Sequence, residues 1–105
     1  MTSDVGVTKK SVLEKLELVL DPEMNISIVD LGLIYEIKIK KKHTVQIIMT
    51  LTTMGCPLFG VIEDDMYLKL SELNLKRSEV EIEVTFEPPW EMSRMSKRAR
   101  AMMGI

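Results

Sequence analysis

The hydrophobic positions of this chain repeat with a helical period in two long stretches. Over residues 11–20, apolar residues recur at spacings of three and four, which predicts a first helix. Ser11 and Glu14 would form its capping box, although Thr8 could cap an earlier start. The helix should end at DPE, residues 21–23, because a proline disfavours the α conformation of the residue before it.

A second helix is predicted over residues 57–73, where apolar residues form a stripe on one face. The residues of that stripe are Phe59, Ile62, Met66, Leu70 and Leu73. A short last helix in the C-terminal tail is expected to begin after Ser96, because serine is a good N-cap residue.

Between the helices, apolar and polar residues alternate, as is typical of strands with one face in water. The three predicted strands cover residues 33–40, 44–52 and 79–87. A polar turn, KKH, separates the first two strands and favours an antiparallel hairpin. The helix between the second and third strands is a crossover connection, which predicts that those two strands run parallel.

The elements follow the order α-β-β-α-β-α, which predicts an α+β fold. We expect a two-layer sandwich, with helices on one face of a small three-stranded mixed sheet. This topology brings three segments to one end of the sheet: the loop 21–32, the turn 52–57 and the segment 88–90. The residues that could carry chemistry lie in these segments.

Composition narrows the class of protein. With 105 residues, 46% hydrophobic and 29% charged, the chain has the size and composition of one globular domain. A formal net charge of −2 gives no overall attraction for nucleic acid. No apolar run is long enough for a membrane span, and no signal peptide is evident. The single cysteine excludes an internal disulfide and a CxxC pair, and we therefore expect a reducing, cytoplasmic location.

Cys56 lies in the sequence TTMGCP, where the second strand gives way to the second helix. A helix N-terminus favours a thiolate, because its partial positive charge and free N–H groups stabilise the anion. Thr52 and Thr53 add hydroxyl groups beside the sulfur, and Gly55 allows close backbone approach. A small buried cysteine would fit the same position, so position alone leaves both roles open.

Several classes of cysteine enzyme are excluded by the neighbouring residues. The stretch after Cys56, PLFGVIEDD, lacks the arginine of a cysteine phosphatase loop, and GK[ST] of a phosphate-binding loop is absent. A cysteine protease needs a histidine near the thiol. The one histidine, His43, lies in the hairpin turn, roughly 30 Å away at about 3.3 Å per strand residue.

Three carboxylates lie in the loop that should converge on Cys56: Asp21, Glu23 and Asp30. Asp21 and Glu23 flank Pro22, where acidic residues commonly act as turn and capping residues. They could equally be auxiliary metal ligands or groups that orient a partner.

Three stretches resemble, in this order, the SufT/PaaD-like family of iron–sulfur cluster assembly proteins: DPEMNISIVDLGLIYEIKI, TLTTMGCPLFGVIEDDM and FEPPWEMSRMSKRARAMMGI. The resemblance covers residues 9–105. Family motifs match DPE at 21–23, VDLGLIY at 29–35, the threonine pair and cysteine, and PPW at 88–90. The family commonly has Leu-Gly after DPE, where this chain has Met24 and Asn25. Asparagine tolerates the left-handed conformation that glycine would adopt there.

The resemblance implies a single cluster assembly domain over residues 1–105, with 1–8 flexible, and a role that is not enzymatic. The protein would carry a labile iron–sulfur cluster, with none permanently bound, or help to deliver one. Its partners would be apo iron–sulfur proteins and cluster scaffold proteins. Cys56 would be the metal ligand, with Asp21 and Glu23 as auxiliary ligands. The supporting residues would be Thr52, Thr53, Gly55, Asp30 and Trp90.

One thiolate cannot hold a cluster that usually takes four. A homodimer that shares thiolates, external thiols, or carboxylate ligands would have to complete the site. The alternative function is a metal-free docking adaptor of the assembly machinery. A component of a ring-oxygenase complex is less favoured, because PaaD-type proteins look longer and carry a cysteine-rich extension that this sequence lacks.

Overall fold

The computed structural model describes residues 7–22, 24–40, 44–51 and 59–104, and its elements follow the predicted order. The helices are α1 (Lys9–Leu16), α2 (Phe59–Ser71) and α3 (Lys97–Met103), and the strands are β1 (Ile34–Lys40), β2 (Thr44–Met49) and β3 (Val80–Val84). Two 3₁₀ turns, Arg77–Glu79 and Met92–Arg94, precede β3 and α3. The α+β class and the order α-β-β-α-β-α are confirmed.

The three strands form one mixed sheet in the order β1-β2-β3. β1 pairs antiparallel with β2, from Ile34 opposite Met49 to Lys40 opposite Thr44. β3 pairs parallel with β2, so that Met49 lies opposite Val84. Both pairings were predicted from the sequence, and they leave β1 and β3 at the two edges of the described sheet.

One face of the sheet is buried and the other is polar. The inward residues of β2 are fully buried and share one core cluster with α1 and α2: Val45, Ile47 and Met49 with Val12, Leu16, Ile62, Met66 and Leu70. Burying each such aliphatic side chain contributes about 1.5–3 kcal/mol. On the opposite face, the Gln46 amide donates a hydrogen bond to Glu83 at 3.0 Å. The helices therefore cover a single face, as the alternating pattern predicted.

The first helix begins two residues earlier than predicted. Thr8 is its N-cap, because the Thr8 hydroxyl accepts a hydrogen bond from the Ser11 amide at 3.0 Å. The Ser11 hydroxyl in turn accepts from the Thr8 amide at 2.8 Å. The predicted capping box of Ser11 and Glu14 is wrong, and the residue named as the alternative start is the cap.

The same helix ends at Leu16, four residues before the predicted end. Beyond it, the Val19 carbonyl accepts a hydrogen bond from the Ile28 amide at 3.0 Å, and Leu20 forms a β-bridge with Ser27. The backbone here pairs with the following loop, which removes the carbonyl and amide groups that another helical turn would need.

The remaining elements are also shorter than predicted. β2 ends at Met49 and β3 at Val84, before the predicted ends at 52 and 87. β3 stops where the Thr85 hydroxyl accepts a hydrogen bond from the Glu87 amide at 3.2 Å, which starts a local turn. α2 ends at Ser71, two residues before the predicted end, and the turn that follows contains Asn74 in the left-handed conformation, with a φ of 64°. None of the helices within the described ranges is long and apolar enough to cross a membrane.

Replacing Thr8 with alanine should lower the free energy of unfolding by about 1 kcal/mol, because the Ser11 amide loses its acceptor. Glu14→Ala is the matched control: this exposed residue lies outside the capping box, so the change should stay within about 0.5 kcal/mol. Urea denaturation followed by circular dichroism measures both values. Equal losses for the two variants would contradict the capping role of Thr8.

Candidate functional site

The DPE motif opens a tight turn that Asp21 holds together. Asp21 is buried, and its Oδ1 accepts a hydrogen bond from the Met24 amide at 3.1 Å. The Asp21 carbonyl accepts from the Asn25 amide at 2.7 Å. Asn25 has a φ of 59°, the left-handed conformation predicted for this position. The structure therefore gives Asp21 a turn-capping role, while its role as an auxiliary ligand stays a prediction.

Asp30 connects this loop to the last helix. Its Oδ1 accepts a hydrogen bond from the Ser96 hydroxyl at 3.0 Å, and its Oδ2 accepts two from Arg98, at 3.1 Å from Nε and 2.6 Å from Nη2. Ser96 is also the N-cap of α3, as predicted, since its hydroxyl accepts from the Ala99 amide at 3.1 Å. The Asp30 side chain is only 14% exposed. Its carboxylate is thus occupied by donors from the protein.

The contact between Asp30 and Arg98 is charge-assisted. The hydrogen bonds to Asp30, and then its negative charge, raise the pKa of the Arg98 guanidinium above its ordinary value. Arg98 stays on the surface while it makes this contact, because 68% of its side chain is exposed.

Two neighbouring residues of the same loop, Leu31 and Gly32, contact the segment that follows β3. The indole Nε1 of Trp90 donates a hydrogen bond to the Leu31 carbonyl at 2.7 Å. Gly32 has a φ of 79°, and a Cβ on it would lie 2.7 Å from the Cβ of Arg94 and closer still to the Arg94 carbonyl oxygen. Only glycine fits here, because the backbone conformation is left-handed and the Met92–Arg94 turn leaves no room for a side chain.

Tyr35 reaches the same segment from β1. The register of β1 against β2 shifts between Ile34 and Glu36, so Tyr35 is the extra residue of a β-bulge. A bulge changes the direction in which the side chain of the extra residue points. The Tyr35 hydroxyl donates a hydrogen bond to the Pro88 carbonyl at 2.7 Å, and the Arg94 guanidinium stacks over the Tyr35 ring, 4.6 Å from its centroid. Tyr35 therefore contacts the segment after β3 through both its hydroxyl group and its ring.

Residues 30–35 and 88–98 together form what we term the loop–tail interface. Four residues of the first range contact the tail: Asp30, Leu31, Gly32 and Tyr35. The predicted convergence of the loop 21–32 with the segment 88–90 is confirmed by the hydrogen bond from Trp90 to Leu31.

The third predicted segment, the turn 52–57, lies outside the described residues, but the end of β2 that leads to it is described. The Thr50 amide donates to the Leu33 carbonyl at 2.8 Å, and the Thr85 amide donates to the Met49 carbonyl at 2.8 Å. The end of β2 therefore lies between the start of β1 and the end of β3. The predicted site residues that follow it, Thr52, Thr53, Gly55 and Cys56, lie outside the described residues, as do Glu23 and His43.

Thr50 is a residue of this region that the sequence analysis missed. It is completely buried, and its hydroxyl has no hydrogen-bond partner among the described residues. A buried hydroxyl without a partner is uncommon, because it loses its hydrogen bonds to water. The sequence signal was available, since Thr50 breaks the apolar run just before the threonine pair.

Within the described ranges, no group of three or more histidine, cysteine, aspartate and glutamate residues is arranged to hold a metal ion. The contacts that these residues make are a capped turn, an anchored tail and an arginine stacked on Tyr35.

The chain matches the family described as "Iron-sulfur cluster assembly protein" over residues 9–88. It is 37% identical to the Fe-S protein maturation auxiliary factor YitW of Bacillus subtilis, over 92% of this chain and 94% of that protein. It is 35% identical to the Fe-S protein maturation auxiliary factor SufT of Staphylococcus aureus, over 84% of this chain and 99% of that protein.

A solved structure has the same fold. The crystal structure of a domain of unknown function from Bacillus anthracis superposes with a TM-score of 0.85 at 37% identity, and covers 92% of each chain. The predicted class of fold and the resemblance drawn from the three sequence stretches are confirmed by these matches.

Gly32→Ala should destabilise the loop–tail interface, because a methyl group would collide with the Arg94 backbone. Gly104→Ala is the matched control, since Gly104 has a φ of 78° with nothing within 4 Å of its would-be Cβ. We expect a loss of about 1 kcal/mol for Gly104→Ala, from backbone strain alone. The collision should add about 1–3 kcal/mol for Gly32→Ala.

Urea denaturation followed by the fluorescence of Trp90, the only tryptophan, measures both variants. Equal losses would show that the left-handed backbone, and not the contact with Arg94, explains the glycine at position 32.

Asp30→Ala should release α3, because it removes the acceptor of Ser96 and Arg98. The amides of Ala99 and Arg100 should exchange with solvent at least about tenfold faster, as expected for the loss of one or more hydrogen bonds. Asp65→Ala is the control, since it breaks the Asp65–Lys69 pair on α2 and leaves the interface intact. Unchanged exchange at both amides of α3 would contradict the anchoring role of Asp30.

Proposed function

This chain belongs to the iron–sulfur cluster assembly protein family, and from that premise we propose that it is an auxiliary factor in the maturation of iron–sulfur proteins. One observation carries this proposal: relatives named Fe-S protein maturation auxiliary factor align over more than four fifths of the chain. Those names describe auxiliary factors and not enzymes, which agrees with a role in delivery. The partners that follow from this function are apo iron–sulfur proteins and the scaffolds on which clusters are built.

Cys56 is the residue through which we propose that a cluster is held as cargo. It lies three residues before Phe59, where the described part of α2 begins. A thiolate near a helix N-terminus is stabilised by the free N–H groups and the helix dipole. The neighbouring hydroxyls of Thr52 and Thr53 would donate hydrogen bonds to the thiolate or to cluster sulfides.

The ligands beyond Cys56 are proposed to come from a second molecule. Asp30 is a poor candidate, because both of its oxygens already accept hydrogen bonds from Ser96 and Arg98. Asp21 is also engaged, since its Oδ1 accepts from the Met24 amide. A second copy of the chain, a client cysteine or a small thiol would then supply the remaining thiolates. Such a shared cluster is labile, as a carrier requires, because one chain supplies only one of the four usual thiolates.

Cys56→Ser should abolish cluster binding. Anaerobic reconstitution of the wild-type protein with ferrous iron and sulfide should give visible absorbance and bound iron, while Cys56→Ser should retain less than about a tenth of that iron. Transfer of the cluster to an apo-ferredoxin, measured by the spectrum of the product, should fail in the same variant. Native mass spectrometry of the reconstituted protein reports whether one chain or two hold the cluster.

Asp21→Asn is the control for the carboxylates. Asparagine keeps an oxygen that can accept from the Met24 amide, so the turn should survive and the bound iron should remain at the wild-type level. Loss of iron in this variant would identify Asp21 as an auxiliary ligand. Retention of iron by Cys56→Ser would refute the role of Cys56.

A second candidate function is a metal-free docking adaptor. It is favoured by the loop–tail interface, whose polar groups position the tail and leave Arg94 exposed beside Tyr35. An adaptor would bind no iron in the reconstitution, and its binding to client proteins would be the same for wild type and Cys56→Ser.

A further inference from the structure

Arg94 is a cation held in a defined position with no carboxylate to pair with among the described residues. Its guanidinium lies 4.6 Å from the centroid of the Tyr35 ring, and Tyr35 is fixed in turn by its hydrogen bond to Pro88. The backbone of the Met92–Arg94 turn is held against Gly32. A stacked guanidinium presents its edge to a carboxylate while its face is covered by the ring.

A second arginine of the same chain, Arg77, has both an aromatic ring and a carboxylate as partners. Arg77 stacks over Tyr67 at 4.1 Å, and its Nη2 also pairs with Asp64 Oδ1 at 3.0 Å. Arg94 has the aromatic ring but lacks the acid within the described part of the chain. The comparison indicates which group is missing at Arg94: an aspartate or glutamate side chain.

The surface beside Arg94 continues into an apolar groove. Arg94, Gly32 and Pro88 line a hollow together with Ile34 and Tyr35, and the last two residues also line a second hollow that extends to α1. The second hollow has Leu13 and Ile37 as apolar lining, with Lys9 and Lys10 at its rim. Among the described residues, Arg94, Lys9 and Lys10 line these two hollows together with one carboxylate, Glu36.

The groove follows an edge of the sheet. β1 is an outer strand in the order β1-β2-β3, so one side of its backbone has no partner strand in the described sheet. An unpaired strand edge accepts an extended peptide as an additional strand, and adjacent pockets take alternate side chains of that peptide. Lysine side chains protect a sheet edge against pairing with other strands. An acidic segment is the exception, because its charge is complementary to theirs.

We infer that the groove formed by Lys9, Lys10, Leu13, Ile34, Tyr35 and Arg94 binds an extended segment of a partner protein in which acidic and apolar residues alternate. An acidic side chain of the segment pairs with Arg94, and its apolar side chains lie over Leu13 and Ile34. The charges of the groove are complementary to such a segment. This inference does not rest on the proposed function, because neither iron nor Cys56 takes part in the contact.

The test uses a short synthetic peptide in which aspartate alternates with isoleucine and valine, with both ends blocked. Titration into the ¹⁵N-labelled full chain should shift the amides of Ile34–Lys40 and of the first turn of α1. Fluorescence anisotropy of a labelled peptide gives the dissociation constant. Arg94→Glu should weaken binding at least tenfold, which is the size expected for the loss of a charge-assisted pair. Added salt should weaken binding to the wild-type chain.

Two controls separate Arg94 from general electrostatics. Lys76→Glu makes the same change in charge at an exposed lysine in the hollow around Arg77, and it should leave the dissociation constant within twofold. A peptide with lysine in place of aspartate should bind Arg94→Glu more tightly than it binds the wild-type chain. Arg94→Gln, which removes the charge and leaves a shorter side chain with a planar amide, should lose affinity with no change in the Trp90 fluorescence.

The inference is overturned if the acidic peptide fails to bind, if Arg94→Glu and Lys76→Glu weaken it equally, or if the shifted amides lie on α3. A concentration-dependent dimer through β1 that the peptide does not displace would also overturn the inference. It would identify a second copy of the chain as the occupant of the groove. Cys56→Ser should bind the peptide like the wild-type chain, so a failure of cluster binding leaves this result unaffected.

Discussion

The close packing of the Met92–Arg94 turn against Gly32 is the contact on which the rest of the site depends. Residues 88–98 have little regular structure before α3, so their position is set by a few anchors. Gly32 permits the nearest approach, because it has no side chain and adopts a φ of 79°. With the tail at that distance, the Trp90 indole reaches the Leu31 carbonyl and Ser96 reaches Asp30. A side chain at position 32 would separate the two segments and strain each of these hydrogen bonds.

Two carboxylates of the described loop have partners within the protein. Asp30 accepts hydrogen bonds from Ser96 and Arg98, and Asp21 caps its own turn. If Cys56 holds a cluster, as proposed, the remaining thiolates have to come from a second molecule, because a cluster usually takes four. A cluster shared in this way would be released more readily than one held by a single chain. The proposed contact through Arg94 involves neither iron nor Cys56, so the two proposals are independent.

The sequence predicted the elements well because periodicity is a local property. Apolar residues at helical spacing define α2, and the alternation of apolar and acidic residues over Val80–Val84 defines β3, whatever the rest of the chain does. Element ends were less accurate, because each end depends on a partner elsewhere. α1 stops at Leu16 because Val19 pairs with Ile28, and the register of β1 changes at Tyr35 because a bulge inserts an extra residue. Ile39 lies opposite the buried Val45, yet it is 38% exposed because it is near the end of an edge strand.

The sequence by itself determined the class of fold, the pairing of the strands and the end of the sheet where the loop 21–32 meets the segment 88–90. These follow from local patterns and from connection rules that hold for any chain with this order of elements. Only the tertiary structure decided which distant residues the motif residues contact. Asp30 and Arg98 are separated by 68 positions, and no pattern between them indicates that one anchors the other. The stacking of Arg94 on Tyr35 likewise depends on how closely two distant segments pack, which is a property of three-dimensional shape and not of spacing along the chain.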